Sequence, residues 1–264
     1  MKSETSADFN KPMSQALPNL RPRHLILKKI LRLIMPKSQS RLLEVKWVKA
    51  LWNRVFTWTY YNYLEKGYVS ENGQDIFLLN GPFRGVKNGV FVDIGAYDGV
   101  ECSNTYVLEK SLGWKGVCFE PQPQIFKKLK DNRGCLCVEA AAAEKDGVAE
   151  FHVMQDPYWD KGSSLAELGV LPKHLQRSVL QVRTVDVAQF LVEKKLCKID
   201  YLSVDTEGGE LKIFLHIHGR GIHPQVVSLE KNEDFTKMDQ EMESLGYEFE
   251  SQVGKDRFYK LKKS

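Results

Sequence analysis

A readable pattern of apolar and polar positions starts near residue 25. Apolar side chains recur at helical spacing at Leu27, Ile30, Leu31 and Ile34, and again at Trp47, Leu51, Val55 and Trp58, with basic residues between them. The spacing predicts one or two amphipathic helices within a basic extension over 25–69. Residues 1–24, rich in Ser, Asn, Pro and charge, have no such period and are expected to form a flexible tail. From Val90 onward the pattern changes. Short apolar runs at 90–94, 117–120, 136–140, 201–205 and 226–230 alternate with helix-like segments at 105–112, 121–132, 185–194, 209–218 and 235–245. Apolar strands separated by helices predict a largely parallel sheet covered on both faces. Two β segments, 149–154 and 180–184, break the alternation around a polar loop and form a candidate substrate-side insertion. The chain closes with a hairpin-like pair, 247–251 and 257–261, joined through Gly254.

Composition adds a boundary. The 264 residues and 42% hydrophobic content suffice for one large domain, or one domain plus an extension. Lys and Arg number 38 against 34 Asp and Glu, a net charge of +4, which excludes the global field of a nucleic-acid coat. The excess is local: residues 1–69 carry 13 basic and 4 acidic side chains, so the remainder is net acidic. The basic helices are expected to pack on the main domain or to touch an anionic membrane surface or partner. No apolar run reaches the roughly 18 residues of a membrane span, and none lies near the first Met as a secretory signal would. Five cysteines without a C-x-x-C read as free thiols of a reducing compartment. The expected location is the cytoplasm.

Open α/β sheets bind ligands beyond the carboxyl ends of their strands, so the chemistry is sought after each strand. The first crossing reads Phe91-Val92-Asp93-Ile94-Gly95-Ala96-Tyr97-Asp98-Gly99. Its glycines permit a tight turn and close backbone approach, but it is not G-x-G-x-x-G, which disfavours a pyrophosphate cradle. Asp93, in an otherwise apolar strand, needs a partner; a ligand ammonium would supply one, and a capped structural turn is the alternative. Glu120 ends the second strand 25 residues after Gly95, where a carboxylate can accept from both hydroxyls of a ribose. A nucleoside whose other end is an amino acid, such as S-adenosylmethionine, fits both crossings. The third crossing, Ala140-Ala141-Ala142-Ala143, could leave a slot for adenine. After the fourth strand, Asp205-Thr206-Glu207-Gly208-Gly209-Glu210 sets three carboxylates within six residues. One can cap the following helix. The others could orient an acceptor hydroxyl or take its proton, or a pair could hold a divalent metal; no metal ligand is assigned from the sequence. His216 and His218, two apart on a helix, face different ways and are not expected to form a metal pair. Asp156-Pro157-Tyr158-Trp159 is only loosely similar to the acidic-Pro-Pro-aromatic loop of amino-group methyltransferases.

Taken in order, these blocks resemble the FkbM family of S-adenosylmethionine-dependent methyltransferases. The resemblance runs from about Ser70 to the end of the chain. It covers Ser70-Glu71-Asn72-Gly73-Gln74-Asp75-Ile76-Phe77-Leu78, the first crossing with Ser103-Asn104-Thr105, Gly113-Trp114-Lys115-Gly116 leading to Phe119-Glu120-Pro121, and Ile199-Asp200-Tyr201-Leu202-Ser203-Val204-Asp205-Thr206-Glu207-Gly208-Gly209-Glu210. It implies a Rossmann-like methyltransferase fold over 70–264, with a mostly parallel seven-stranded sheet, a C-terminal antiparallel hairpin and helices on both faces. It implies a cofactor site of Gln74, Asp75, Asp93, Gly95, Ala96, Tyr97, Ser103, Asn104, Glu120, Pro121 and Ala141, with Asp205 and Glu207 as catalytic residues at the acceptor end. The implied activity is O-methylation of a hydroxyl on a sugar or small natural product. Gly209 stands where the family more often has alanine, a difference expected to affect helix packing. Competing expectations are a non-catalytic cofactor-binding module on the same fold, and a nucleic-acid methyltransferase clamping its substrate with the basic extension. The acidic balance of the main domain speaks against a nucleic-acid partner.

Overall fold

The computed structural model of the chain describes residues 67–154, 163–165, 177–230 and 235–263. The expected tail and the extension as far as residue 66 lie outside the described residues, as does the stretch 156–159. Among the described residues the order is α1 (Gln74–Asn80), β1 (Val90–Ile94), α2 (Tyr106–Leu112), β2 (Lys115–Phe119), α3 (Pro123–Asn132), β3 (Leu136–Val138) and β4 (Ala141–Ala143). There follow β5 (Gly147–Met154), β6 (Ser164–Leu165), β7 (Arg177–Asp186), α4 (Val187–Glu193), β8 (Tyr201–Val204), α5 (Glu210–Gly219), β9 (Val226–Glu230), α6 (Phe235–Ser244), β10 (Tyr247–Val253) and β11 (Asp256–Leu261).

Seven strands form one sheet in the order β10-β11-β9-β8-β1-β2-β3. The β1, β2, β3, β8 and β9 neighbours pair in parallel, whereas β11 runs antiparallel to both β9 and β10. The expected Rossmann-like architecture with its C-terminal hairpin is therefore present. Period-two alternation explains the two cores. Val92, Ile94, Leu202 and Val204 point to one face and pack with Leu191 of α4, Phe214 and Ile217 of α5, and Met238 and Met242 of α6. Phe91 and Tyr201 point to the other and pack with Leu78 of α1, Leu108 of α2 and Leu129 of α3. Each of these fully buried leucines contributes on the order of 2 kcal/mol by removal from water.

The insertion forms a separate four-stranded sheet, β4-β7-β5-β6, held by eight antiparallel β5–β7 pairs from Gly147↔Thr184 to Met154↔Arg177. Two boundaries move because of it. The third strand of the main sheet stops at Val138, not Ala140, and Ala141–Ala143 leaves to pair in parallel with Thr184–Asp186 of β7. The strand β7 consequently runs on to Asp186, whose carboxylate caps α4 by accepting from Gln189 N at 2.9 Å. Among the described residues no helix is long and apolar enough to cross a membrane.

Candidate active site

The carboxyl ends of β1, β2 and β8 converge. Asp205 N donates to Ile94 O at 2.9 Å, and Gly95 N and Ala96 N donate to Phe119 O at 3.1 and 3.0 Å, so three strand ends are laced by backbone bonds. Gly95 has φ 86°, and a Cβ there would lie 1.7 Å from Asp205 O. Only glycine lets the β1 loop pass so close to β8. Tyr97 (φ 50°) and Glu207 (φ 56°) adopt left-handed backbone without being glycine, a strain that gathers at functional loops.

Between these loops lies a cavity open to solvent at its mouth. Its walls are Gly95 and Tyr97 after β1; Glu120, Pro121 and Gln122 after β2; Ala140, Ala141 and Ala142; and Asp205, Thr206 and Gly208 after β8. The insertion supplies Phe151, Ser163 and Leu165 as a further wall. Glu120 is only 4% exposed. Burial pushes its carboxyl up to about 8, against the pull of hydrogen bonds from the backbone of Gln122, 2.8 Å from Oε1, and of Tyr97. A buried carboxylate facing a slot of small side chains suits a ligand with vicinal hydroxyls and a flat ring, which S-adenosylmethionine presents. The residues therefore fit that cofactor.

The acceptor end is acidic. Asp205 is exposed. The dense surrounding protein nevertheless raises its pKa well above the ordinary carboxylate range, with Glu230, Asp256 and Glu207 adding like charge. Glu207 is pushed up to about 7, first by burial and then by Glu230, with Lys255 opposing. Asp256, the register partner of Glu230 on β11, is likewise pushed up to about 7 by burial, against the hydrogen bond it accepts from Gln74. Glu210, the first residue of α5, folds back on the loop before it: its Oε1 accepts from Gly208 N at 2.7 Å and Thr206 N at 3.2 Å. No side chain among the described residues caps the helix's own N–H groups, so the capping expected of one of these carboxylates is replaced by bonds within the loop.

The structure brings Gly95, Tyr97, Glu120, Pro121, Ala141 and Asp205 together around the cavity, with Glu207 beside them. The other expected cofactor residues stand elsewhere. Gln74 Nε2 donates to Asp256 Oδ2 at 2.5 Å, toward the acidic end. Asp75 accepts from Val69 N, Ser70 N and Ser70 Oγ, tying down the segment before α1. Ala96 is in the core under β1, Ser103 Oγ accepts from Tyr106 N, and Asn104 Nδ2 donates to Ser203 Oγ at 3.2 Å. Asp93 finds its partners inside the chain, in Thr105 Oγ1 at 2.5 Å and the Arg133 guanidinium at 4.0 Å, so no ligand ammonium is needed to satisfy it. His216 bonds Asp186 while His218 faces His223, as their spacing suggested. Gly209 is the left-handed N-cap of α5 at φ 83°, so its departure from alanine concerns backbone conformation rather than packing.

Sequence reasoning passed over Glu230, Lys255, Asp256 and Arg133. Glu230 ends a recognised strand, and the rule that found Asp205 would have found it too.

The sequence model of one family, described as Methyltransferase FkbM domain, matches residues 93–249. No curated protein matches the sequence. Among solved structures, a methyltransferase FkbM from Methylobacillus flagellatus KT is 12% identical, over 76% of this chain and 52% of that one, at TM-score 0.43. A TehB-like SAM-dependent methyltransferase from Corynebacterium glutamicum ATCC 13032 is 12% identical, over 80% and 98%, at TM-score 0.39. A precorrin-6y C5,15-methyltransferase from Geobacter metallireducens GS-15 is 15% identical, over 67% and 81%, at TM-score 0.36.

Proposed function

The chain belongs to the FkbM methyltransferase family, whose cofactor is S-adenosylmethionine, and on that premise we propose that it methylates a hydroxyl oxygen of a sugar, glycan or small natural product. The observation that carries this reading is one cavity walled by carboxylates of two different strand ends, Glu120 and Asp205. Glu120 would hold the ribose hydroxyls, with Ala140, Ala141 and Ala142 beside the adenine. When bound, the cofactor supplies an electrophilic methyl group on a sulfonium. The chain's task is then alignment and proton management. Asp205 and Glu207 would orient the acceptor hydroxyl and draw on its proton, and an acidic wall suits a neutral polyhydroxy acceptor better than an anionic one. Phe151, Ser163 and Leu165, from the insertion, would shape the acceptor's entry.

The test is calorimetric titration with S-adenosylmethionine and S-adenosylhomocysteine, using NAD as control. It is followed by methyl transfer from labelled cofactor into a pool of hydroxylated acceptors. Both nucleosides should bind, Glu120→Ala should abolish binding, and Asp205→Ala should bind but lose turnover. Absence of cofactor binding by the parent, or undiminished turnover by Asp205→Ala, would remove the reading.

A further inference from the structure

At the ends of β8 and β9, Asp205, Glu207 and Glu230 each bring a carboxylate oxygen to within 4.8 Å of the other two. Like charges at this separation repel, the more so away from bulk water. Lys255 Nζ, 2.9 Å from Glu230 Oε1, offsets one of them. An independent observation concerns Glu230 itself. The residue is 5% exposed, and its Oε2 is buried with no hydrogen-bond partner. Buried acceptors are rarely left unmet, and the group the chain itself sets against Glu230 is the protonated carboxyl of Asp205. A proton shared between two carboxyls would bridge two oxygens and leave the third. A cation larger than a proton reaches all three.

We infer that Asp205, Glu207 and Glu230 form a binding site for one divalent, oxygen-preferring cation of the Mg²⁺ or Mn²⁺ class. The donor set contains no imidazole or thiolate, which selects hard cations. A divalent ion would displace the protons these carboxyls hold, and the three ionised carboxylates against one lysine would then balance its charge. Asp205 also lines the cofactor cavity, so the ion would stand between that cavity and the acceptor side. Its remaining coordination positions could take the acceptor hydroxyl and favour its ionised form. The role at the hydroxyl rests on the proposed O-methylation; the existence of the ion site does not.

The full-length protein, stripped with EDTA and exchanged into metal-free buffer, is titrated with Mn²⁺ alone while free Mn²⁺ is followed by electron paramagnetic resonance. Saturable uptake of about one equivalent is expected, the number of ions such a triad can hold. Loss of outer-shell partners alone weakens metal sites by about tenfold, so Glu230→Gln should cost at least that. Glu207→Gln, in the half-buried loop, serves where Glu230→Gln fails to fold, and the same loss is expected. No saturable uptake by the folded parent, or uptake unchanged in the variants that fold, overturns the site. S-Adenosylhomocysteine is titrated in parallel without metal. Nucleoside binding without Mn²⁺ uptake removes the ion alone, whereas Mn²⁺ uptake without nucleoside binding removes the methyl-transfer reading and leaves the ion site standing.

Discussion

The guanidinium of Arg133 lies 4.0 Å from the carboxylate of Asp93, and both residues are buried, at 5% and 4% exposure. From the end of α3 this side chain reaches under the first crossing. Its Nη2 donates to Thr105 Oγ1 at 2.9 Å, its Nη1 to Gly99 O at 3.1 Å, and its Nε to Glu109 Oε2 at 2.6 Å. Asp93 belongs to a polar row across the sheet, in register with Cys118 on one side and Ser203 on the other, and Ser203 in turn with Ser228. Arg133 supplies the positive charge that lets this row sit inside the fold, and it fastens the loop at 99–105 to β1.

Replacing Arg133 should therefore be costly. Arg133→Met leaves Asp93 and Glu109 without their cation, a loss of about 3–5 kcal/mol for a broken buried pair. Arg133→Lys restores the charge but not the planar fork, and should recover only part of the loss. Urea unfolding of the three proteins measures this, and parental stability in Arg133→Lys would refute the argument from geometry.

Gly95 makes a sharper test. Alanine there would place a methyl carbon 1.7 Å from Asp205 O in a backbone of φ 86°. No side chain can rotate away to relieve this, because the obstacle is main chain. The β1 and β8 loops must separate, and both wall the cavity. Gly95→Ala should lower affinity for S-adenosylhomocysteine by at least about tenfold, or 1.4 kcal/mol. Calorimetric binding within about twofold of the parent would show that the two loops are not coupled in this way.

Gly209 separates backbone strain from packing. Its φ of 83° predicts that Gly209→Ala loses about 1–2 kcal/mol, the cost of left-handed backbone for an L-residue. Gly219, at the far end of the same helix with nothing within 4 Å of an added Cβ, is the control. Gly219→Ala should be neutral or slightly stabilising. Equal melting temperatures for the two variants would contradict the assignment.

The alternation of apolar runs made the parallel sheet legible, because strands buried on both faces leave short apolar stretches such as Val117–Phe119. The site's glycine and its strand-end carboxylates were legible for a related reason: polar residues at the ends of apolar strands stand out. Helix α1 was not. In seven residues it buries Gln74 and Asp75 with Leu78, which gives no helical period of apolar positions. Arg133 was illegible because its partners, from Glu109 back to Asp93, lie 24 or more residues earlier in sequence. The exit of Ala141–Ala143 into a second sheet was hidden because its pairing partner, Thr184–Asp186, lies across the insertion.

Glu120 links the site to pH. Burial raises its carboxyl from 4.5 to about 8 in the folded protein, so the folded state holds a proton that the unfolded chain releases above pH 4.5. Its contribution to stability is therefore fully present below pH 4.5, declines by about 1.4 kcal/mol per pH unit between the two values, and is gone above about 8. Asp256 and Glu207 add declines of the same sign, so the difference between the parent and Glu120→Gln isolates this residue. Chemical unfolding at pH 5.5, 6.5 and 7.5 should show Glu120→Gln gaining on the parent as pH rises. Ribose hydroxyls donating to Glu120 favour its ionised form, so cofactor binding near pH 7 should release most of one proton. That release appears calorimetrically as a dependence of binding heat on the ionisation enthalpy of the buffer. A buffer-independent heat in the parent, or the same dependence in Glu120→Gln, would detach Glu120 from the ribose.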